Sequence, residues 1–178
     1  FSILLIKTGY FKIMSITENS ATQKLSKIDR NILRILQKDG RISYTDLARE
    51  VGLSVTPCIE RVKRLERSGY IEGYSARLNP ERLNAGLVVF VQIRLNHTSQ
   101  ENFEEFRSSV MQLEDIQSCY LVSGNYDYLL KARVADMAAY RELLGSRILK
   151  LPAVQESTSY VVMEELKETM EVAVPYAR

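Results

Sequence analysis

Histidine occurs once, cysteine twice and proline four times in the 178 residues of this chain. The lone histidine, His97, sits in a polar stretch with no partner motif around it, so a solvated loop residue fits better than a general base. Cys58 and Cys119 fall in segments that read as a helix and a strand, without CxxC spacing or neighbouring histidines. Two buried, reduced thiols of a cytosolic protein are expected there, and neither a metal site nor a disulfide framework. The apolar opening FSILLIKTGYFKI covers only residues 1–13, too short for a bilayer span, and lacks the basic start and small-residue cleavage site of a secretory signal. Gly-rich phosphate loops, GxSxG, HExxH and paired-carboxylate signatures are missing, as are internal repeats and low-complexity stretches. An enzyme stays in contention only through groups converging from distant segments, and no cofactor is implied.

What is present is an ordinary globular composition, 46% hydrophobic and 26% charged, with length for two small domains. The net charge of +2 hides an asymmetry. Residues 24–80 hold 12 Lys and Arg against 7 Asp and Glu, a surplus of +5, whereas residues 81–178 hold 10 against 14, a deficit of −4. A basic half joined to an acidic half suggests one module for a polyanion and another for a different task.

The basic half has helical punctuation. Ile28, Ile32, Leu33, Ile35 and Leu36 recur at helical spacing, and Gly40 is placed to end that helix just after Asp39. Ser43 can cap a second helix, with Asp46 in its first turn and Leu47, Ala48 and Val51 on its apolar face. After the Gly52 turn, a third helix starts near Ser54 or Thr56, tolerates Pro57 in its first turn, and stops at Gly69. Ile59, Val62 and Leu65 point inward, leaving Arg61, Lys63, Arg64 and Arg67 off the apolar stripe. Tyr70, Ile71 and Tyr74 read as a hairpin or wing leading to Asn79-Pro80. Helix, turn and cationic helix make a rod that fits the DNA major groove. Ser54, Val55, Thr56 and Pro57 are expected at base edges; Arg61, Arg64 or Arg67 at phosphates or a guanine edge; Arg41, Ser43 and Thr45 on the near backbone. The plainer alternative is a solvated basic face on a three-helix bundle, or a helical module that binds protein.

The second half reads as strand Leu87–Leu95, helix Gln100–Met111, strands Ile116–Ser123 and Tyr126–Val134, a helix from Asp136 to about Ile148, and a strand near Val154–Glu164. That order, βαββαβ, predicts a ferredoxin-like four-stranded antiparallel sheet backed by two helices, an α+β class. Leu87–Leu95 has too few polar positions for a strand with one wet face, so a second chain is expected to cover the sheet. The expected boundaries are an N-terminal arm at 1–24, a helix-turn-helix domain at 25–75, a linker at 76–86, the ferredoxin-like domain at 87–167 and a tail at 168–178. Met14 opens a polar stretch and is the expected natural start, with residues 1–13 not native.

Four segments, DRNILRILQKDGRIS, REVGLSVTPCIERVKRLERSGYI, LVSGNYDYLLKARV and LPAVQESTSYVVMEELK, carry a resemblance to the Lrp/AsnC family of bacterial and archaeal transcription regulators. The matching span runs from about Ile28 to Lys167. The resemblance implies a winged DNA-binding domain and a C-terminal domain that makes homodimers, assembles them into higher, octamer-like oligomers, and binds an amino acid, with leucine the expected effector. Two positions depart from the pattern: Asn125 stands where many members have Asp, and Val55 where proline is frequent. Gly124-Asn125-Tyr126-Asp127 reads from sequence as a hairpin turn. It also offers glycine N–H groups to a ligand carboxylate and Asp127 to an α-ammonium group. Leu121, Met137, Tyr160, Val161 and Val162 are either plain core or an apolar pocket, which the resemblance puts near a dimer–dimer boundary. Together these features predict a cytoplasmic, sequence-specific, global activator or repressor acting on double-stranded DNA, with no membrane partner and no metal.

Overall fold

The computed structural model of the chain describes residues 25–96 and 99–175, so the expectations for the N-terminal arm, the Met14 start and His97 lie outside the described residues. The described chain divides into two compact units: residues up to Ser75 together with those from Met170, and Ala76–Thr169.

The first unit holds α1 (Lys27–Leu36), α2 (Tyr44–Val51) and α3 (Val55–Arg67). α1 begins with a reciprocal capping box: the Ser26 hydroxyl accepts from Asp29 N–H at 3.1 Å, and the Asp29 carboxylate accepts from Ser26 N–H at 3.0 Å. Its end corrects the expected one. The helix closes at Leu36, and the Asp39 N–H folds back to Ile35 O at 2.9 Å. Gly40 is needed for space instead, because a Cβ there would lie 3.1 Å from the Tyr74 ring. α2 ends at Gly52, whose φ of 69° is the left-handed conformation that lets the chain turn tightly into α3. Ile32, Leu47, Ala48, Cys58, Val62 and Leu65 form the buried core, while Ile59, expected to point inward, is only half-buried and lies outside it, Cys58 taking the inward place on α3. The expected hairpin over 70–74 does not form a ladder. Both Tyr70 N–H and Ile71 N–H bond Leu65 O, and the chain runs without strand pairing to Asn79. Tyr74, about half exposed, donates to Glu66 at 3.0 Å; partial burial, with Glu66 beside it, pushes its hydroxyl up to about 12.

The second unit holds β1 (Leu87–Leu95), α4 (Gln100–Val110), β2 (Ile116–Leu121), β3 (Tyr128–Val134), α5 (Met137–Ser146) and β4 (Val154–Val161). The sheet is antiparallel in the order β2-β3-β1-β4, the ferredoxin-like arrangement. A 3-10 turn, Glu81–Leu83, occupies the stretch read as linker. One sheet face is apolar at alternate positions: Val89, Val91, Ile93 and Leu95 of β1 oppose Ala132, Leu130 and Tyr128 of β3. Helices α4 and α5 cover it through Phe106, Val110, Tyr140 and Leu143. Phe106 stacks on Tyr128 with ring centroids 4.3 Å apart. Cys58 is fully buried, as expected, while Cys119 is half-buried, and burial pushes its thiol up to about 11. The helices and strands end earlier than their apolar runs suggest, since β2 stops at Leu121 and β3 begins at Tyr128, leaving 122–127 as a loop.

The other sheet face carries Phe90, Gln92, Leu129, Lys131, Arg133 and Tyr160, set by the same alternation. Part of it is covered by the chain's own C-terminal segment. Lys131 pairs with Glu168, and Arg133 with Glu165 and Glu168 at 3.2 and 2.8 Å. Tyr160 and, on β2, Tyr120 stay more than half exposed.

Candidate nucleic-acid interface and effector loop

α3 presents two different basic surfaces. Thr56, Glu60, Lys63 and Arg67 recur at steps of four and three and form the solvent-facing stripe opposite Cys58, Val62 and Leu65. At its N-terminus Ser54, Val55 and Thr56 are exposed and Pro57 half-buried; no side-chain hydrogen bond from Ser54 caps the helix. Arg41, ahead of α2, and Thr45, in its first turn, are exposed, while the Ser43 hydroxyl is occupied in capping, 3.1 Å from Asp46 N–H. Lys63 belongs to the outer stripe as much as Arg67 does. The helical period alone could have found it.

Arg61 and Arg64 behave otherwise. Both donate to one oxygen of Asp29, Arg61 Nη1 at 3.0 Å and Arg64 Nη2 at 2.7 Å from Oδ1. The second oxygen, Oδ2, accepts from Ser26 N–H and, at 2.7 Å, from the Ser26 hydroxyl. Asp29 is 3% exposed, the one buried charged residue among those described. Burial opposes its charged form, but the Ser26 hydrogen bonds, the Arg61 bond and the Arg64 charge together hold its carboxyl below the usual carboxylate range. A cavity of about 160 Å³ opens beside this triad. The sequence signal was the Ser26–Asp29 spacing of a capping box; nothing in it announced the two arginines.

The loop after β2 is held by main-chain bonds. Gly124 has φ 145°, a conformation that L side chains rarely adopt. Val122 N–H bonds Asp127 O, and Asp127 N–H bonds Ile93 O, both at 2.9 Å. The Asp127 carboxylate already has a partner: its Oδ2 accepts from Leu95 N–H at 2.7 Å, where β1 shifts register against β4. Arg94 clasps the loop by donating from Nε and Nη2 to Asn125 O at 3.1 and 2.7 Å, and its Nη1 lies 3.3 Å from Glu156. The sequence reading missed Arg94, a single charge in an apolar strand. Tyr126 is half-buried.

One chain does not gather all the expected effector residues. Leu121 pairs with Tyr128 beside the loop, near Ile93 of β1. Val162 N–H bonds Val88 O at the opposite end of β1, and Met137 follows β3 where Val134 pairs with Leu87. Five residues of strand separate the ends, about 16 Å. Tyr160 and Val161, being adjacent in β4, face opposite sides of the sheet. Leu121, Met137 and Tyr160 are 60%, 47% and 51% exposed, so none of them is plain core.

Comparison with known proteins assigns both units. Residues 25–72 match a winged helix-turn-helix DNA-binding family, and residues 88–172 match the Lrp/AsnC ligand binding domain. The leucine-responsive regulatory protein of Klebsiella pneumoniae is 60% identical over 145 residues, which is 82% of this chain and 88% of that relative. A Neisseria meningitidis transcriptional regulator, solved in complex with L-methionine, superimposes with a TM-score of 0.80 at 35% identity, over 84% of this chain and 96% of that one. A feast or famine regulatory protein from M. tuberculosis, also complexed with L-methionine, gives a TM-score of 0.77 at 36% identity, over 85% and 99%. No helix among the described residues is long and apolar enough to cross a membrane, and none of their acidic, His or Cys groups clusters to hold a metal ion. The two matched domains, in this order and over most of the chain, place it in the Lrp/AsnC family of amino-acid-binding, DNA-binding transcription regulators.

Proposed function

We propose that this regulator takes leucine as its effector, works in the cytoplasm as a homodimer that assembles into larger, octamer-like rings, and reads DNA through α3. The outer stripe of α3 carries the DNA half of this reading. Thr56, Lys63 and Arg67 stand on one exposed face, beyond a helix start where Ser54, Val55, Thr56 and Pro57 can reach base edges. Arg41 and Thr45 hold the near phosphate backbone, with Ser43 fixing the start of α2. Arg61 and Arg64 flank this surface and add the one positive charge by which they exceed Asp29. Paired α3 helices in a dimer then meet half-sites roughly one helical turn, or a multiple of it, apart.

For the effector, the loop from Gly124 to Asp127 supplies backbone N–H groups and the free Asp127 oxygen to the amino-acid head group. The apolar side chain reaches Met137, Val161 and Val162 across a junction between copies, because one protomer holds these sites about 16 Å from the loop. Exposed Tyr120 and Tyr160 on the partly open sheet face support pairing of two copies. Leucine is favoured by the name of the 60% identical relative. Methionine, bound in two structural neighbours, is the competitor to test. An effector that binds one assembly state better than another shifts assembly; one that binds both equally shifts nothing.

Sedimentation velocity of the purified protein, with leucine, methionine and a polar amino acid in turn, tests the reading. Leucine alone is expected to shift the distribution. An equal response to methionine removes leucine selectivity, and no response to any of them removes the assembly switch.

A further inference from the structure

We propose that Asp29 is a positioning residue that withholds Arg61 and Arg64 from the phosphate backbone, so that α3 meets DNA through its outer stripe and not through its full set of arginines. The inference rests on the reading that α3 is the DNA-contacting helix. Its geometric basis is the crowding on one carboxylate. Oδ1 takes both guanidinium groups, and Oδ2 takes the Ser26 hydroxyl and N–H. The Asp29 side chain is 4% exposed, while those of Arg61 and Arg64 are 31% and 41% exposed. Both arginines therefore have water-facing edges but share a buried partner.

Moving both to phosphates would leave a buried carboxylate without a counter-charge, which a folded protein strongly disfavours. The carboxylate cannot follow them, because it is locked into the first turn of α1 by the capping box. Three consequences follow for binding. The pairing orients the two guanidinium planes before DNA arrives. It ties α3 to the start of α1, so the angle at which the recognition helix is offered is fixed. It also leaves Lys63 and Arg67 as the α3 cations free of any ion pair among the described residues. Phosphate contacts add affinity for every sequence alike. Withholding two of them favours contacts that depend on sequence.

The test is the slope of log K against log salt for the full chain on a short mixed-sequence duplex. D29N keeps the size of the side chain and its capping oxygen but removes the charge that holds the arginines. It is expected to tighten this non-specific binding and steepen the slope by about 1–2, since each phosphate newly engaged adds about 0.9. Adding R61Q and R64Q to D29N is expected to abolish that gain. A D29N slope equal to the wild-type slope, with an unchanged circular dichroism spectrum, overturns the proposal. A second measurement needs no variant at Asp29: the guanidinium NMR signals of Arg61 and Arg64 in the wild-type chain, with and without duplex. Retention of slowly exchanging, hydrogen-bonded signals in the complex is expected, and loss of both on adding DNA overturns the proposal. K63A combined with R67A separates the two ideas. Its slope falls if α3 is the contacting helix, and an unaltered slope sinks that underlying reading instead.

Discussion

The helical unit and the sheet unit stabilise themselves by different means. Among its described residues the helical unit buries six apolar side chains and one carboxylate, and its recognition helix is tied to α1 through that carboxylate. Among the described residues, the core cluster of the sheet unit has fourteen members, all apolar or aromatic, and none of the unit's charged residues is buried. A small core leaves orientation to directional polar contacts, whereas a larger one fixes it by packing. The unit that meets a polyanion is thus the one whose geometry depends on charge. The largest expected effect sharpens the contrast from the sheet side. Phe106 is fully buried and stacked on Tyr128, so Phe106→Ala should cost the sheet unit about 3–5 kcal/mol, read as a lower midpoint in urea unfolding. A change under about 1 kcal/mol would mean that the site collapses freely and that packing is not what sets this unit.

The counterpart on the helical side is Asp29→Ala, expected to destabilise by about 2 kcal/mol. That is less than removal of a fully buried pair, because the arginines keep partial contact with water. The sign of its pH dependence is fixed by the direction of the shift. Asp29 titrates lower when folded than its ordinary value of 3.8, so its contribution is complete above that value. It fades as the pH falls through the folded pKa. Urea midpoints of wild type and Asp29→Ala should therefore differ at neutral pH and converge in strong acid. A gap that persists there would assign the loss to cavity or cap, and not to charge.

This contrast also separates what the sequence disclosed from what it did not. The apolar β-forming runs of β1 and β3 and the helical period of α1 and α3 are local, and both were legible, whereas the alternation that gives β1 one core face emerged only in the fold. So was the turn at Gly52, because a left-handed residue there has few alternatives to glycine. Element ends were less legible: α1 closes at Leu36, short of Gly40, and that glycine instead lies against the ring of Tyr74, 34 positions on. The triad of Asp29, Arg61 and Arg64 joins residues 32 and 35 positions apart, so no spacing rule points to it. Periodicity marked those arginines only as lying off the apolar stripe, which suits phosphate contacts and a buried ion pair equally. The effector residues show the same limit at a larger scale, since the loop from Gly124 to Asp127 and the group around Met137 and Val162 sit at opposite ends of β1 within one chain.

The finest version of the comparison lies within the helical unit, at two serines that look alike in sequence. Each immediately precedes a helix, and each is an N-cap residue with extended backbone. Ser43 accepts from Asp46 N–H at 3.1 Å and donates to its carboxylate at 2.6 Å, so its hydroxyl is wholly engaged in starting α2. Ser54 makes no such cap bond, which leaves its hydroxyl exposed at the start of α3. Ser43→Ala should then lower stability by about 1 kcal/mol, whereas Ser54→Ala should stay within a few tenths, both read from urea midpoints. In DNA binding the ranking should turn over, with Ser54→Ala narrowing the difference in affinity between a specific site and mixed sequence. Equal losses of stability in the two variants would mean that Ser54 caps α3 in solution, and its hydroxyl would then be no more available to a base edge than that of Ser43.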